Sequence, residues 1–116
     1  MSNKHIPNKP PVPYCQGLFG EISVSGIPLP SSLNADTIDI QIMAEFDNRY
    51  HEKGKWITMW IKGDNDVGSG NELISGLVPA DNAYYSVRFV ATKFGEGKSR
   101  WETPSDITEH IQTNGL

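Results

Sequence analysis

The sequence predicts an all-β fold, an antiparallel β-sandwich, and three observations lead to it. Residues 37–46 and residues 85–91 alternate between apolar and polar side chains with a period of two, which is typical of strands with one buried face. Further short segments with strand character follow at near-regular spacing, separated by turn-forming residues. None of these segments has helical periodicity, so two packed sheets are favoured over a mixed fold.

Length and composition bound the possible functions. The chain has 116 residues, the size of one domain, and 37% of them are hydrophobic, as in globular rather than disordered proteins. No apolar run is long enough to cross a bilayer, so membrane insertion is not expected. The net charge is −4 and the basic residues are scattered, which argues against nucleic acid as a partner. The single cysteine, Cys15, is expected to be a half-buried side chain rather than a reactive thiol.

Residues 1–16 are expected to form an extended N-terminal arm. Prolines recur through this segment, block both helix and central strand, and favour a polyproline-like conformation. The segment lacks the apolar stretch of a signal peptide, so we expect a protein that is made in the cytoplasm and not exported by that route. Because such an arm contributes few core contacts, we expect that removing residues 1–9 leaves a folded domain and that the arm docks on another subunit.

The sandwich itself is assigned to residues 17–105. Residues 21–25 alternate, with Ile22 and Val24 facing inward, and two prolines end this strand. The strongest alternation follows in residues 37–46. The inward side chains of this strand and of a second long strand are expected to form the middle of the core: Ile38, Ile40, Ile42, Ala44 and Phe46 from the first, and Tyr85, Val87, Phe89 and Ala91 from the second.

The segment 55–62 is a strand with apolar side chains on both faces. Alternation places Trp56 and Trp60 on one face, and Met59 with two isoleucines on the other. Two interpretations are open. In the first, the methionine face is buried, and the two tryptophans form with Tyr50 an exposed platform for a sugar or a neighbouring protein. In the second, one tryptophan fills the core and the other lies under a loop.

The polar loop that follows resembles a calcium site only superficially. Asp64, Asp66 and Glu72 are suitable ligands, yet the EF-hand pattern requires a glycine where Ser69 stands and a glutamate where Ser75 stands. The three histidines lie far apart in the sequence, and no serine or cysteine lies in a nucleophile motif. The sequence therefore predicts no metal, no cofactor and no enzymatic activity.

The second half of the chain carries a family resemblance. Leu77-Val78-Pro79 is a Leu-x-Pro turn, residues 85–91 form a Tyr-x-Val-x-Phe-x-Ala strand, and residues 94–99 form a glycine-containing hairpin. This order resembles the last half of a fibronectin type III domain, and the similarity extends over residues 10–105. The resemblance implies an immunoglobulin-like sandwich in which the hydroxyl group of Tyr85 bonds back to the backbone near the turn.

Two expectations concern how the aromatic residues pack. Members of that family place a core tryptophan in the second strand, where Gly26 stands here. One of the tryptophans of segment 55–62, or Phe46, is therefore expected to fill that volume. On the outward face of its strand, Arg88 is expected to stack on Trp101 through a cation–π contact.

Residues 106–116 are expected to be a tail outside the sandwich. Asp106 and Glu109 have the spacing of a capping box, and Ile107 and Ile111 lie one helical turn apart. A short C-terminal helix and an extended tail both remain open. In either form, the two isoleucines are natural docking residues, because so short a helix is unstable in water unless it packs on something.

Two classes of function follow. The first is a structural or adhesive module of a larger assembly, because domains of this resemblance without disulfides are similar to those in tailed-bacteriophage virion proteins of the tail, baseplate or capsid decoration. Its partners would be other protein subunits of the particle, including further copies of this chain. The second is a carbohydrate-binding or accessory module of an extracellular enzyme, with a host-surface glycan as partner. The candidate binding residues are Trp56, Trp60, Arg88, Trp101, Ile107 and Ile111.

Overall fold

The computed structural model describes residues 6–114 and folds them into a β-sandwich, which confirms the expected fold class at that level. Eight strands follow one another along the chain: β1 (Tyr14–Leu18), β2 (Glu21–Ser25), β3 (Thr37–Ala44), β4 (Trp56–Lys62), β5 (Asn71–Ser75), β6 (Ala83–Phe94), β7 (Arg100–Pro104) and β8 (Thr108–Thr113). Two short 3₁₀ turns, Pro30–Leu33 and Asp64–Asp66, lie in the loops. The described residues contain no helix that is long and apolar enough to cross a membrane.

The strands form two antiparallel sheets. The smaller sheet has the order β1-β2-β5, and the larger has the order β4-β3-β6-β7, with β8 also paired to β6. The long strand β6 pairs with the last two strands of the chain, with β7 along its second half and with β8 along its first half. Residues 105–107 separate these two strands. β7 and β8 therefore lie one after the other along the same edge of β6, in the place that a single long strand would otherwise occupy.

Both alternating strands place their apolar side chains in the core, as expected. Ile40 lies opposite Phe89 and Ile42 lies opposite Val87 in the ladder between β3 and β6, and all four are fully buried. The smaller sheet contributes three further buried side chains: Ile22, Val24 and Ile74. The expectation for Phe46 is wrong, because β3 ends two residues earlier and Phe46 is 64% exposed.

No tryptophan fills the core. Gly26 follows β2 at an exposed position with a φ of +79°, and neither Trp56 nor Trp60 is buried. The expectation that one of these tryptophans replaces the family's core tryptophan is therefore wrong. Tyr85 and Phe89 are the largest fully buried side chains, and isoleucines supply much of the remaining core volume.

The hydroxyl group of Tyr85 closes the loop between β3 and β4. Asn48 Oδ1 accepts the backbone N–H groups of Tyr50 and His51, so Asn48 Nδ2 is left to donate to the Tyr85 hydroxyl at 3.0 Å. The same hydroxyl lies 3.0 Å from His51 Nδ1. The expected bond to the backbone near the Leu-x-Pro turn is thus replaced by two side-chain contacts to a different loop.

The N-terminal arm packs along the domain instead of extending away from it. Three of its prolines are buried: Pro7, Pro10 and Pro13. The carbonyl group of Pro7 accepts a hydrogen bond from Thr103 Oγ1 at 2.9 Å, and the N–H group of Asn8 donates to the Leu33 carbonyl at 2.8 Å. The arm is also shorter than expected, because β1 begins at Tyr14. The first five residues of the predicted arm lie outside the described part of the chain.

Of the two alternatives left open for the C-terminal segment, the short helix is wrong, and the segment is not a tail outside the sandwich, because it forms β8. Ile111 lies opposite Tyr85 and is 8% exposed, while Thr113 lies opposite Ala83 and is fully buried. The free edge of β6 offers ladder hydrogen bonds together with core contacts, which outweigh the weak local preference for a two-turn helix. The last two residues of the predicted tail lie outside the described part of the chain.

Candidate interaction surface

A β-bulge in β4 places its two tryptophans on opposite faces. Trp60 lies opposite a core isoleucine of β3 and Thr58 lies opposite Gln41, so Met59 is an extra residue in β4. One extra residue reverses the alternation along a strand. Trp56 therefore shares the outward face with Gln41, while Trp60 lies on the inward side. The first of the two interpretations, a common platform of Trp56 and Trp60, is therefore wrong.

Trp60 lies at the lateral opening between the two sheets. Lys62 Nζ lies 4.9 Å from the centroid of the Trp60 ring and forms an ion pair with Glu72 in β5 of the other sheet. The bulge residue Met59 packs against the core. Trp60 is 38% exposed, but Lys62, which lies over its ring, is held by the ion pair between the two sheets. We therefore assign Trp60 to packing at the open side of the sandwich rather than to binding.

Arg88 and Trp56 meet on the outward face of the larger sheet. The guanidinium carbon of Arg88 lies 4.1 Å from the centroid of the Trp56 ring. Arg88 Nε donates a hydrogen bond to Gln41 Oε1 at 2.8 Å, and Gln41 Nε2 donates to Thr58 Oγ1 at 3.1 Å. Side chains from β6, β3 and β4 are thus linked in a row. We call the surface formed by Gln41, Met43, Trp56, Thr58 and Arg88 the outer face.

The expectation that Arg88 stacks on Trp101 is wrong. Residues that lie opposite each other on paired strands share a face, and Trp101 lies opposite Lys93, which belongs to the inward set of β6. Trp101 instead covers Gly95 in the β6–β7 hairpin, where a Cβ atom would lie 2.3 Å from its ring. Further residues line a shallow hollow beside it: Lys93, Phe94, Glu96 and Ser99.

Burial shifts the pKa values of two charged groups on the outward side of the larger sheet. Asp39 is 3% exposed, and burial raises the pKa of its carboxyl group, against the hydrogen bond from Thr37 and the charge of Arg100. Burial also lowers the pKa of the Arg88 guanidinium group, against the charge of Glu102. An arginine nevertheless stays cationic at neutral pH. The outer face therefore carries a positive charge held between an aromatic ring and an amide.

Glu45 joins a serine and a histidine beside the outer face, but not as a catalytic triad. Ser86 Oγ donates to Glu45 Oε2 at 3.1 Å, and His110 Nδ1 lies 2.6 Å from Glu45 Oε1. In a triad the serine hydroxyl bonds to the histidine, whereas here both groups bond to the carboxylate. Glu45 Oε2 also accepts the backbone N–H of His110, whose φ is +57° at an irregularity in the β6–β8 pairing. This cluster therefore stabilises the backbone of β8.

The two C-terminal isoleucines do not form a common docking patch. Ile111 is in the core, whereas Ile107 is 42% exposed and lies between β7 and β8. Of the six candidate residues, the structure joins Arg88 and Trp56 by direct contact. The other aromatic candidates lie apart, at the sandwich edge and in the β6–β7 hairpin.

Three members of the outer face were not candidates in the sequence: Gln41, Met43 and Thr58. The alternation of β3 placed Gln41 outward, and this part of the signal was available. The missing information is the register across β3, which brings Gln41 between Arg88 of β6 and Thr58 of β4. Register depends on contacts between distant segments, so a single strand pattern does not reveal it.

Two acidic side chains of the calcium-like loop are engaged with backbone groups. Asp64 Oδ1 accepts the N–H group of Ser31 at 3.0 Å, and Asp66 Oδ2 accepts that of Gly63 at 3.3 Å. Between residues 6 and 114, no three His, Cys, Asp or Glu side chains are grouped so that they could hold a metal ion.

No protein-family model, curated protein or solved structure matches this chain.

Proposed function

We propose that this chain is a non-enzymatic interaction module that docks on other protein subunits of a larger assembly through its outer face. The observation that carries the proposal is the stack of Arg88 on Trp56, which Gln41 holds in place by a hydrogen bond. Arginine and tryptophan are among the residue types that contribute most to binding at protein interfaces. Because this stack is already ordered, little side-chain entropy is lost when a partner binds.

The strand order supports a fibronectin type III-like, immunoglobulin-related identity for the module. If the strands are lettered as in immunoglobulin domains, β1-β2-β5 correspond to A, B and E, and β4-β3-β6-β7 correspond to C′, C, F and G. The Leu-x-Pro turn at residues 77–79 and the buried Tyr85 lie before and within strand F of this scheme. The absence of a core tryptophan makes it a divergent example.

The assembly that we propose is a tailed-bacteriophage virion, in its tail, baseplate or capsid decoration. This part of the proposal rests on the resemblance to such domains, which carry no disulfide, and this chain has a single cysteine. The chain would be made in the cytoplasm and incorporated into the particle there. The buried prolines of the arm and the buried Ile111 already contact their own domain, so the proposal assigns docking to the outer face rather than to the ends.

A carbohydrate-binding module is the second candidate function, and Trp101 is the observation that favours it. Its ring lies beside a shallow hollow whose other lining residues include polar side chains from the hairpin, Glu96 and Ser99. An aromatic ring next to polar groups is a common arrangement for binding a sugar. This candidate would place the function in the β6–β7 hairpin and not on the outer face.

Sedimentation of tagged protein from the cells that produce it tests the proposed function. We expect the unchanged chain to sediment with a large particle, and the double variant Trp56→Ala, Arg88→Ala to remain in the free fraction. Leu73→Ala is the matched control, because Leu73 is 41% exposed in β5 of the smaller sheet. This control should be incorporated normally.

Two results would contradict the proposal. In the first, the double variant, shown to be folded by its circular dichroism spectrum, enters the particle as well as the unchanged chain. In the second, the unchanged chain stays free and binds an immobilised glycan, and Trp101→Ala abolishes that binding. The second result would establish the carbohydrate-binding alternative.

A further inference from the structure

The three arginines of the chain differ in how their charges are compensated. Arg49 Nη2 lies 3.7 Å from Asp81 Oδ1, and Arg100 Nη2 lies 3.6 Å from Asp39 and 3.4 Å from Glu102. Arg88 has no carboxylate within 4.0 Å among residues 6–114. Glu102 acts on the Arg88 charge from a greater distance, but its ion pair is made with Arg100.

The arginine without a carboxylate is also the least exposed of the three. Arg88 is half-buried, whereas the Arg49 and Arg100 side chains are 61% and 49% exposed. Partial removal of a charge from water costs free energy unless an opposite charge compensates it. Trp56 and Gln41 contact the Arg88 guanidinium group, but among residues 6–114 no carboxylate lies within 4.0 Å of it to compensate this cost, which is the arrangement expected of a group that is completed by a partner.

The hydrogen-bond donors of Arg88 are unevenly used. Its Nε–H donates to Gln41, and one face of the guanidinium group covers Trp56. The two terminal NH₂ groups make no hydrogen bond among the described residues. An arginine that is held at Nε and over an aromatic ring has little freedom left to lose when its terminal nitrogens bind.

A carboxylate is the group that suits these free donors. The guanidinium fork matches the two oxygens of a carboxylate in a pair of parallel hydrogen bonds. A phosphate group usually needs several cationic or N–H donors, and Arg100, which lies opposite Phe94 on the same face of the larger sheet, is already paired twice. The surrounding side chains of the outer face, Met43 and Thr58 among them, suit the aliphatic stem of an amino acid.

We propose that Arg88 anchors an Asp or Glu side chain of a partner protein, whose carboxylate pairs with the two terminal nitrogens while its stem packs on the outer face. This inference rests on the proposed function, because it names the group on the docked subunit that the outer face recognises.

Nuclear magnetic resonance of the full ¹⁵N-labelled chain tests the anchor directly. The probe is N-acetyl-glutamate methylamide, and its uncharged counterpart is N-acetyl-glutamine methylamide at equal ionic strength. We expect saturable shifts of the Arg88 Nε–H and Trp56 indole N–H signals with the glutamate probe, with a dissociation constant on the order of millimolar for so small a ligand. The glutamine probe should produce no saturable shift at these two signals.

Two conservative variants sharpen the test. Arg88→Lys keeps the charge and removes the fork, and it should weaken binding of the glutamate probe about tenfold. Arg100→Lys, on an arginine that already has its carboxylates, should leave the affinity unchanged. The amide spectrum of each variant shows whether it is folded. Equal binding by folded Arg88→Lys, or equal shifts with the glutamine probe, would overturn the inference.

A third probe, glucuronate, separates protein from glycan as the source of the carboxylate. If glucuronate binds at least about tenfold more tightly than the glutamate probe, an acidic glycan is the occupant and the inference is overturned. The particle assay and the probe titration together separate failure of this inference from failure of the proposed function. If the double variant Trp56→Ala, Arg88→Ala fails to enter the particle but the unchanged chain does not bind the glutamate probe, docking through the outer face stands and the carboxylate anchor is removed. If the unchanged chain binds the glutamate probe but the double variant enters the particle normally, docking at this face is removed.

Discussion

Single residues determine how closely the two sheets approach each other. Gly17 of β1 lies against the backbone of β8, where a Cβ atom would lie 1.7 Å from the Gln112 carbonyl oxygen. Next to this contact, the N–H group of Asn114 donates to the Leu18 carbonyl at 3.0 Å. Cys15 lies half-buried in the same strand, as expected, and burial raises the pKa of its thiol to about 12. The thiolate is therefore scarce at neutral pH, and we assign Cys15 to packing.

Replacement of Gly17 by alanine should lower the free energy of unfolding by about 1–3 kcal/mol, because the added methyl group forces the backbones of β1 and β8 apart. Urea denaturation measures the change. Gly63→Ala is the matched control, since a Cβ atom at Gly63 would have its nearest contact at 3.6 Å, an ordinary van der Waals distance. Equal stability of the two variants would show that β1 and β8 are not packed this closely.

We expect His51 to make the stability of the protein depend on pH. Burial lowers the pKa of His51 below its ordinary value of 6.5, and the ring faces the hydroxyl group of Tyr85. Between the lowered pKa and 6.5, the folded state binds fewer protons than the unfolded state, so the free energy of unfolding falls as the pH falls through this range. From about pH 7.5 to about pH 5.5, the unchanged protein should lose more stability than His51→Gln.

Urea denaturation at a series of pH values provides this comparison. The raised pKa of Asp39 acts in the opposite direction, because its folded form binds more protons, but that effect is common to both proteins. The difference between the two proteins therefore isolates His51. A loss of stability in His51→Gln as large as in the unchanged protein would rule out this role for the ring.

At the scale of elements, strand pairing decides where each side chain lies. The bulge at Met59 sends Trp56 outward and Trp60 toward the sheet opening, although simple alternation places them together. The C-terminal residues, whose sequence has a helical capping pattern, pair instead with the first half of β6 as the strand β8. In both cases a partner strand outweighs the local signal, since ladder hydrogen bonds and burial are gained together.

The contrast between β3 and β4 gives a prediction about two isoleucines. Ile40 in β3 is fully buried, whereas Ile61 in β4 is 61% exposed. Ile40→Ala should cost about 2–5 kcal/mol of unfolding free energy, because it leaves a cavity in the core. The matched control Ile61→Ala should change the free energy by less than about 0.5 kcal/mol. Chemical denaturation of both variants measures the contrast, and a similar cost for both would contradict the register of these strands.

At the scale of the whole molecule, the N-terminal arm helps to complete the sandwich. Its carbonyl groups accept hydrogen bonds from Thr103 in β7 and Thr108 in β8, and its Asn8 N–H binds the connection between β2 and β3. The arm thus crosses from one element to several others. A segment without a strand ladder of its own is held by proline rings and by carbonyl acceptors, which prolines retain.

Deletion of residues 1–9 should therefore destabilise the domain by about 1–3 kcal/mol, because it removes a buried proline and two hydrogen bonds. This outcome is the reverse of the expectation from the sequence. Thermal unfolding of the truncated chain measures the loss. Lys9→Ala is the control, and it should have almost no effect, because its ion pair with Asp106 is exposed on both sides. An unchanged melting temperature after the deletion would show that the arm is dispensable.

The sequence was most informative where one strand carries its own periodic signal. The alternation of β3 and β6 identified Ile40, Ile42, Val87 and Phe89 as core residues, and all are fully buried. It also placed Arg88 and Gln41 on the outward face. The arm, β8 and the position of Trp60 were not predictable in this way, because each depends on contacts with segments far along the chain.

The sequence by itself determined the all-β class, the inward side chains within β3 and β6, though not the end of β3 before Phe46, and the lack of an internal disulfide, since period-two burial and cysteine number are local properties. Only the tertiary structure decided that Arg88 meets Trp56 and not Trp101, and that Ile111 is core and not a docking residue. Those outcomes depend on register and on one bulge. A shift of a single residue in either would turn every side chain beyond it to the opposite face.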